Sequence, residues 1–243
     1  MLTPLDHVLV VLITVLLPIH DLLFWYPRLL RAEPHHAHRA KSRAYVETIG
    51  IEWGLCIATL VFWARQERTW GDLGLDAPGG WGFWAGAALA LGILGFGTWQ
   101  RLAVSRDSDT EVKNAVLAQL ESLKPLLPQT QRQLAHFSMV ALTAGICEEL
   151  LFRGFLIWYL AQLVPTPLAL FLAAALFGMA HAYQGTRGVL QTGLVGVGLV
   201  ILYLLSGSLW IPMLVHAFID LNTGLLAYTF LSRKPGRTTG TPI

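Results

Sequence analysis

Three short stretches of an otherwise apolar chain carry the groups that acid–base chemistry needs. They are Cys147-Glu148-Glu149-Leu150-Leu151-Phe152-Arg153, then Phe177-Gly178-Met179-Ala180-His181, then His216-Ala217-Phe218-Ile219-Asp220. Each lies in a run long enough to enter a bilayer, where an ionisable side chain is costly and marks function by default. A lone polar group can serve as glue between helices. Glutamates, arginine, histidines and aspartate together on three runs exceed that role.

Helical geometry separates their tasks. Glu149 and Arg153 are i,i+4 neighbours on one face, whereas Glu148 is turned about 100° from Glu149 and about 140° from Arg153. Arg153 therefore neutralises Glu149 and leaves Glu148 free to take or give a proton. The alternative is one ion-pair network in which neither glutamate reacts. Phe177 and His181 are also i,i+4, with Phe177 as a wall of the pocket. So are His216 and Asp220, and Asp220 is placed to accept the second ring N–H of His216 and set its tautomer. A base for water and donors for an oxyanion are what hydrolysis requires. His181, His216 and Glu148 also make a two-histidine, one-carboxylate set of the thermolysin zinc type, so Zn2+ is a possible cofactor. These ligands come from three separate helices, and Glu148 must choose between ligand and base. The balance leans to a metal-independent or weakly metal-assisted mechanism.

The elements that position these groups follow from composition. Of 243 residues, 54% are hydrophobic and 13% charged, with nine Trp and 23 Gly; an average soluble domain carries about 25% charge. A nucleic-acid binder, a disordered chain and an ordinary cytosolic enzyme are excluded. Cys56 and Cys147 sit in apolar runs and suggest neither a disulfide framework nor a metal site. Seven apolar runs read as spans: 5–26, 44–64, 81–102, 134–163, 167–182, 189–205 and 209–230. They lack strand alternation, and lipid offers the backbone no hydrogen-bond partners, so the expected fold is all-α, a polytopic transmembrane bundle in one integral membrane domain, 1–243. Residues 134–230 hold the catalytic core helices. Residues 107–131 form a cytoplasmic connector, with Val112, Val116, Leu117, Leu120 and Leu123 at helical spacing, which suits an amphipathic surface helix and a solvated connector equally.

The first run has no preceding Lys or Arg and is too long for a signal peptide, so it reads as a span. Arg28, Arg31, Arg39, Lys41 and Arg43 follow span one. Arg101, Arg106, Lys113, Lys124 and Arg132 follow span three, Arg187 follows span five, and Arg233, Lys234 and Arg237 form the tail. Against these fourteen, the opposite side holds Arg65 and Arg68. The positive-inside rule gives N-out, C-in. His35, His36 and His38 in the first basic loop read as a polar loop rather than a metal site.

The order Glu148-Glu149-x-x-x-Arg153, Phe177-x-x-x-His181, His216-x-x-x-Asp220 resembles the CPBP family, which includes CAAX prenyl endopeptidases and bacteriocin-processing or immunity-related (ABI) membrane proteins. The resemblance covers roughly 134–230; Gly71-Asp72-Leu73-Gly74-Leu75 also looks like a family loop. It implies an intramembrane endopeptidase, often called a metalloprotease, that cleaves near the C-terminus of a membrane-associated protein or peptide. The substrate would carry a prenylated, lipidated or transmembrane C-terminal tail, and the protein would sit in the plasma membrane of a prokaryote. In the implied mechanism Glu148 activates water with help from His181, while His216 and Asp220 hold the scissile carbonyl. The family's last motif ends in Asn or Asp; ionised Asp cannot donate to an oxyanion, which favours Asp220 in a His-orienting or metal-assisting role.

Other intramembrane chemistries lack their motifs: there is no HExxH, GxGD or GxSG. In a Cys147–His181 pair, the two carboxylates beside Cys147 disfavour the thiolate. The competing reading is a non-catalytic membrane protein, a transporter or an immunity or scaffolding factor, using the same polar cluster. Glu52 and the His20-Asp21 pair are further polar sites a transporter would use, but they suit interhelical or interface contacts better. The chain halves show no repeat symmetry of the transporter kind.

Overall fold

A computed structural model describes residues 2–33, 36–76, 79–106 and 109–232. His35, Asp107, Arg233, Lys234 and Arg237 lie outside the described residues. Among the described residues all regular structure is helical. Helix α1 runs Pro4–Leu30, α2 Ala37–Arg65 and α3 Gly80–Arg106. A short α4, Thr110–Gln119, lies in the connector. Helix α5, Gln131–Glu149, continues without a break through a π-helical stretch, Leu150–Leu156, into α6, Ile157–Ala161. Then come α7, Thr166–Ala180, α8, Gly185–Ser206, and α9, Trp210–Leu231.

Five helical segments are long and apolar enough to cross a membrane: Pro4–Leu30, Ala37–Arg65, Gly80–Arg106, Ala182–Ser206 and Trp210–Leu231. Their outward side chains are those of a lipid-facing surface, with Phe24 63%, Leu91 69% and Leu194 72% exposed. Apolar exposure on this scale does not suit a surface in water. The segment 131–161 is different. It carries Arg132, Glu148, Glu149 and Arg153, and from 143 to 157 only Ile146 is exposed. It is the centre of the bundle, with α2, α9 and α7 packed around it.

Helix α1 is π-wound at Leu12–Leu16 and Asp21–Trp25. Each stretch comes just before a proline, Pro18 or Pro27. A proline lacks its N–H and crowds the carbonyl four residues back, so the preceding turn widens. Near the start of α1, buried Asp6 takes both guanidinium nitrogens of Arg68 at 2.7 Å, and Arg68 lies over the Trp158 ring at 4.3 Å. Arg68, read from sequence as a loop charge, is thus a tie between α1, α6 and the end of α2. Arg101 is likewise inside α3 and donates to Asn222 of α9 at 2.8 Å. Gly74, at φ +73, ends the 70–73 turn, and its carbonyl accepts from Leu209 N at 2.9 Å. A Cβ there would meet the Tyr203 ring at 2.6 Å. This seats the loop against α8 and the start of α9. The buried thiols of Cys56 and Cys147 meet between α2 and α5.

Candidate active site

The site begins with how α5 starts. Thr130 caps it by accepting from Gln133 N at 3.2 Å, while the Gln133 side chain accepts from Gln129 N at 2.8 Å. This pays the orphan N–H groups of the first turn. About four turns later the helix reaches Gly145, where it crosses α9. A Cβ at Gly145 would lie 2.6 Å from Ala217 Cβ, 2.7 Å from its N and 2.8 Å from its Cα. Only a residue without a side chain lets the two backbones come this close. Glu149 lies one turn beyond Gly145, and His216 is next to Ala217, so the crossing sets their separation.

Glu149 Oε1 accepts from Arg153 Nη1 at 2.8 Å and lies 2.8 Å from His216 Nδ1. All three side chains are buried. The i,i+4 pairing of Glu149 with Arg153 holds although the helix is π-wound through 150–156. Arg153 Nη2 also donates to Gly196 O of α8 at 3.3 Å, and its guanidinium stacks 4.0 Å over the Phe177 ring. Gly196 leaves room for this: a Cβ there would meet Phe177 at 3.1 Å and Arg153 at 3.4 Å.

Glu148 faces elsewhere, and its Oε2 is buried with no hydrogen-bond partner. It lies 3.8 Å from His216 Nε2, and Asp220 Oδ2 lies 3.7 Å from the same nitrogen. The sequence expectation that Asp220 sets the tautomer of His216 is not what the structure places there. Glu149 holds Nδ1, and Asp220 stands at the other nitrogen, beyond hydrogen-bond length. The reason is that α9 turns the His216 edge toward α5, a choice no single-helix pattern contains.

His181 is not inside a helix, as a span of 167–182 implies; α7 stops at Ala180. Fifteen residues rise about 22 Å, less than the roughly 30 Å hydrocarbon core. The histidine thus caps a helix that ends within the bundle. Its Nδ1 bonds Phe177 O at 2.9 Å, one of the carbonyls a helix end leaves unpaired. A proton on Nδ1 leaves Nε2 as the free ring nitrogen. Phe177 is the hub: its ring meets His181 at 5.0 Å, His216 at 5.8 Å and Phe152 at 5.1 Å, each edge-on.

Two carboxylates read from sequence as interface groups also belong to this neighbourhood. Asp21 of α1 is within electrostatic reach of His181 and Glu148, and Glu52 of α2 is within reach of Glu148 and Asp220. His20 bonds Asp21 at 3.0 Å. Their only sequence signal is a charge in an apolar run, which does not say which helices meet.

His181, His216 and Glu148 are the residues that a zinc ion would need. Among the described residues, no three His, Cys, Asp or Glu side chains are gathered to hold a metal ion. His216 and His181 each engage Nδ1 and keep Nε2, which alone would suit ligation, but Nε2 of His216 stands 3.8 Å from Glu148 Oε2 and the three side chains do not converge on one point. In this arrangement the residues do not fit a metal, and the steps below run through side chains. His38, of the histidine-rich stretch, bonds Gln133 instead.

Residues 130–222 match the family model described as Rce1-like, type II CAAX prenyl endopeptidase Rce1-like. The matched segment is less than half of the chain, but it opens at the cap of α5, closes just past Asp220 and contains all three motifs. No curated protein and no solved structure matches the chain. The segment that holds the charged motifs is thus similar to the type II CAAX prenyl endopeptidases, within a chain whose long apolar helices are those of an integral membrane protein.

Proposed function

We propose that the chain is an intramembrane endopeptidase that hydrolyses a peptide bond near the C-terminus of a membrane-associated protein or peptide, using a water activated by Glu148. The observation that carries this reading is the contrast between adjacent glutamates. Glu149 is fixed through Oε1 by Arg153 and His216, which leaves only its Oε2 without a hydrogen bond, whereas Glu148 is fixed by neither and its Oε2 lies buried without a hydrogen bond 3.8 Å from His216. A carboxylate placed in this way is available to a water molecule.

In this mechanism Glu148 takes a proton from water as the hydroxide attacks the scissile carbonyl. His181 Nε2 helps hold that water. His216, in its protonated form, donates Nδ1–H to Glu149 and Nε2–H to the developing oxyanion. Asp220, which cannot donate when ionised, sustains the charge on His216. Protonated Glu148 then gives its proton to the leaving amine as the C–N bond breaks. Arg153 and Phe177 position Glu149 and the two rings and do not touch substrate.

Helices α1, α2 and α3, the continuous α5–α6 segment, and α7, α8 and α9 then act as seven spans, with the N-terminus outside and the C-terminus inside a prokaryotic plasma membrane. The connector 107–131 is a cytoplasmic surface element, and the substrate tail is prenylated, lipidated or transmembrane. Purified protein incubated with CAAX-type tail peptides is the test. Wild type is expected to cleave and Glu148→Gln to lose turnover while melting at nearly the same temperature, because Glu148 Oε2 makes no hydrogen bond to lose. Near-wild-type turnover in the Gln variant refutes the base. No cleavage of any tail peptide by wild type returns the chain to the non-catalytic reading.

A further inference from the structure

Two adjoining hollows, of about 310 Å³ and about 360 Å³, lie where α1 ends and α2 starts, outside the cluster just described. Trp25, Leu29, Ala32 and Ala44 give the first an apolar lining, with Arg28, Glu33 and Arg43 around it. The second is lined by His36, Arg39, Ala40 and Arg43. Charge in this corner is unbalanced. Arg28 is paired with Glu47, and Glu33 faces His36 across 3.9 Å. Arg39 and Arg43 are exposed and have neither an ion pair nor a hydrogen bond among the described residues. They stand i,i+4 on α2 and so share one face, where like charges repel unless an anion lies between them. Phosphate is such an anion, because a guanidinium grips its oxygens through parallel N–H bonds.

The surroundings say where that phosphate comes from. One apolar segment long enough to cross a membrane ends at Leu30 and the next starts at Ala37, so the hollows lie at the depth of lipid headgroups. Phe24, Leu30 and Val46, on the same two helix ends, are exposed, which is how a lipid-facing surface looks. Trp25 and Tyr26 are the aromatic types that gather at the membrane–water boundary. A phosphate between Arg39 and Arg43 sets the carbon chain attached to it over Trp25, Leu29 and Ala44. Free phosphate leaves that apolar lining uncovered.

We infer that the two hollows bind one anionic phospholipid, with its phosphate between Arg39 and Arg43 and the first carbons of its chains on the apolar lining. Basic pockets between membrane helices are suited to such headgroups. The inference rests on the membrane placement of α1 and α2 and is independent of the peptidase reading. A lipid held here pins together the two helices that bring Asp21 and Glu52 toward Glu148.

The test is native mass spectrometry of the full chain in detergent, titrated with phosphatidylglycerol or with phosphatidylcholine of the same acyl chains. Wild type is expected to hold phosphatidylglycerol about tenfold more tightly, the scale of two partly screened arginines at an anionic headgroup. Replacing both, Arg39→Gln with Arg43→Gln, brings the two lipids near equal. Arg132→Gln removes an exposed charge from the start of α5, away from the hollows, and leaves the preference intact. Equal binding of the two lipids by wild type overturns the inference. So does an undiminished preference in the double variant, or the same loss in Arg132→Gln, which marks a general charge effect. Displacement of bound phosphatidylglycerol by excess glycerol phosphate assigns the site to soluble phosphate and overturns it too. A thermal melt checks the fold of the double variant. Should it not fold, Arg43→Gln alone decides, because Arg43 borders both hollows: a drop of about threefold in the preference supports the site, and no drop overturns it.

Discussion

Replacing Gly145 with alanine adds one methyl group where α5 crosses α9. That carbon would sit 2.6–2.8 Å from three atoms of Ala217. Ordinary carbon contacts are about 3.5–4.0 Å, so the helices must part by about 1 Å. Two effects of opposite sign compete. Alanine gains about 0.5–1 kcal/mol over glycine in a helix, and overpacking a tight contact costs about 1–3 kcal/mol. The cost wins, because the neighbours are backbone atoms that cannot rotate away. The His216–Glu149 contact, 2.8 Å in the structure, opens beyond hydrogen-bond length. Misplacing a catalytic group by that much costs on the order of 100-fold in rate. The assay is kcat/KM on a tail peptide together with a thermal melt, with Gly92→Ala as the control. Nothing lies within 4 Å of a Cβ at Gly92, so that variant is expected to keep its rate and its melting temperature or raise it. If Gly145→Ala matches Gly92→Ala in both readouts, the crossing does not set the site and the reasoning fails.

Glu149→Ala and Arg153→Ala are each expected to lower stability as well as activity, since stranding one partner of a buried pair costs about 3–5 kcal/mol. The double variant should lose less than the two single losses combined; strictly additive melts would show that the pair is not coupled. A reporter at the C-terminus is expected in the cytoplasm and one inserted near Asp76 outside, and both on one side would overturn the seven-span topology. Activity is expected to survive chelation and dialysis. Stoichiometric zinc whose removal stops turnover and whose return restores it would require a different arrangement of His181 and His216.

What the linear sequence determines here is whatever one helix can express on its own. Apolar run length located the long helices, with an end as much as seven residues off at the start of α2, because lipid offers the backbone no hydrogen-bond partner and such runs must be helical. Spacing placed Arg153 beside Glu149 and turned Glu148 away, because a 3.6-residue repeat fixes which neighbours share a face. Only the tertiary structure decided which faces meet. His216 bonds Glu149 across 67 residues of sequence, an outcome set by Gly145 against Ala217 and not by the i,i+4 partner Asp220. Asp21 and Glu52 come near Glu148 for the same reason: α1 and α2 pack around the central helix. The end of α7 at Ala180 likewise falls two residues before the end of the apolar run, which leaves His181 outside the helix. Periodicity is a property of a single helix, while a site built from four of them depends on where small residues let backbones touch.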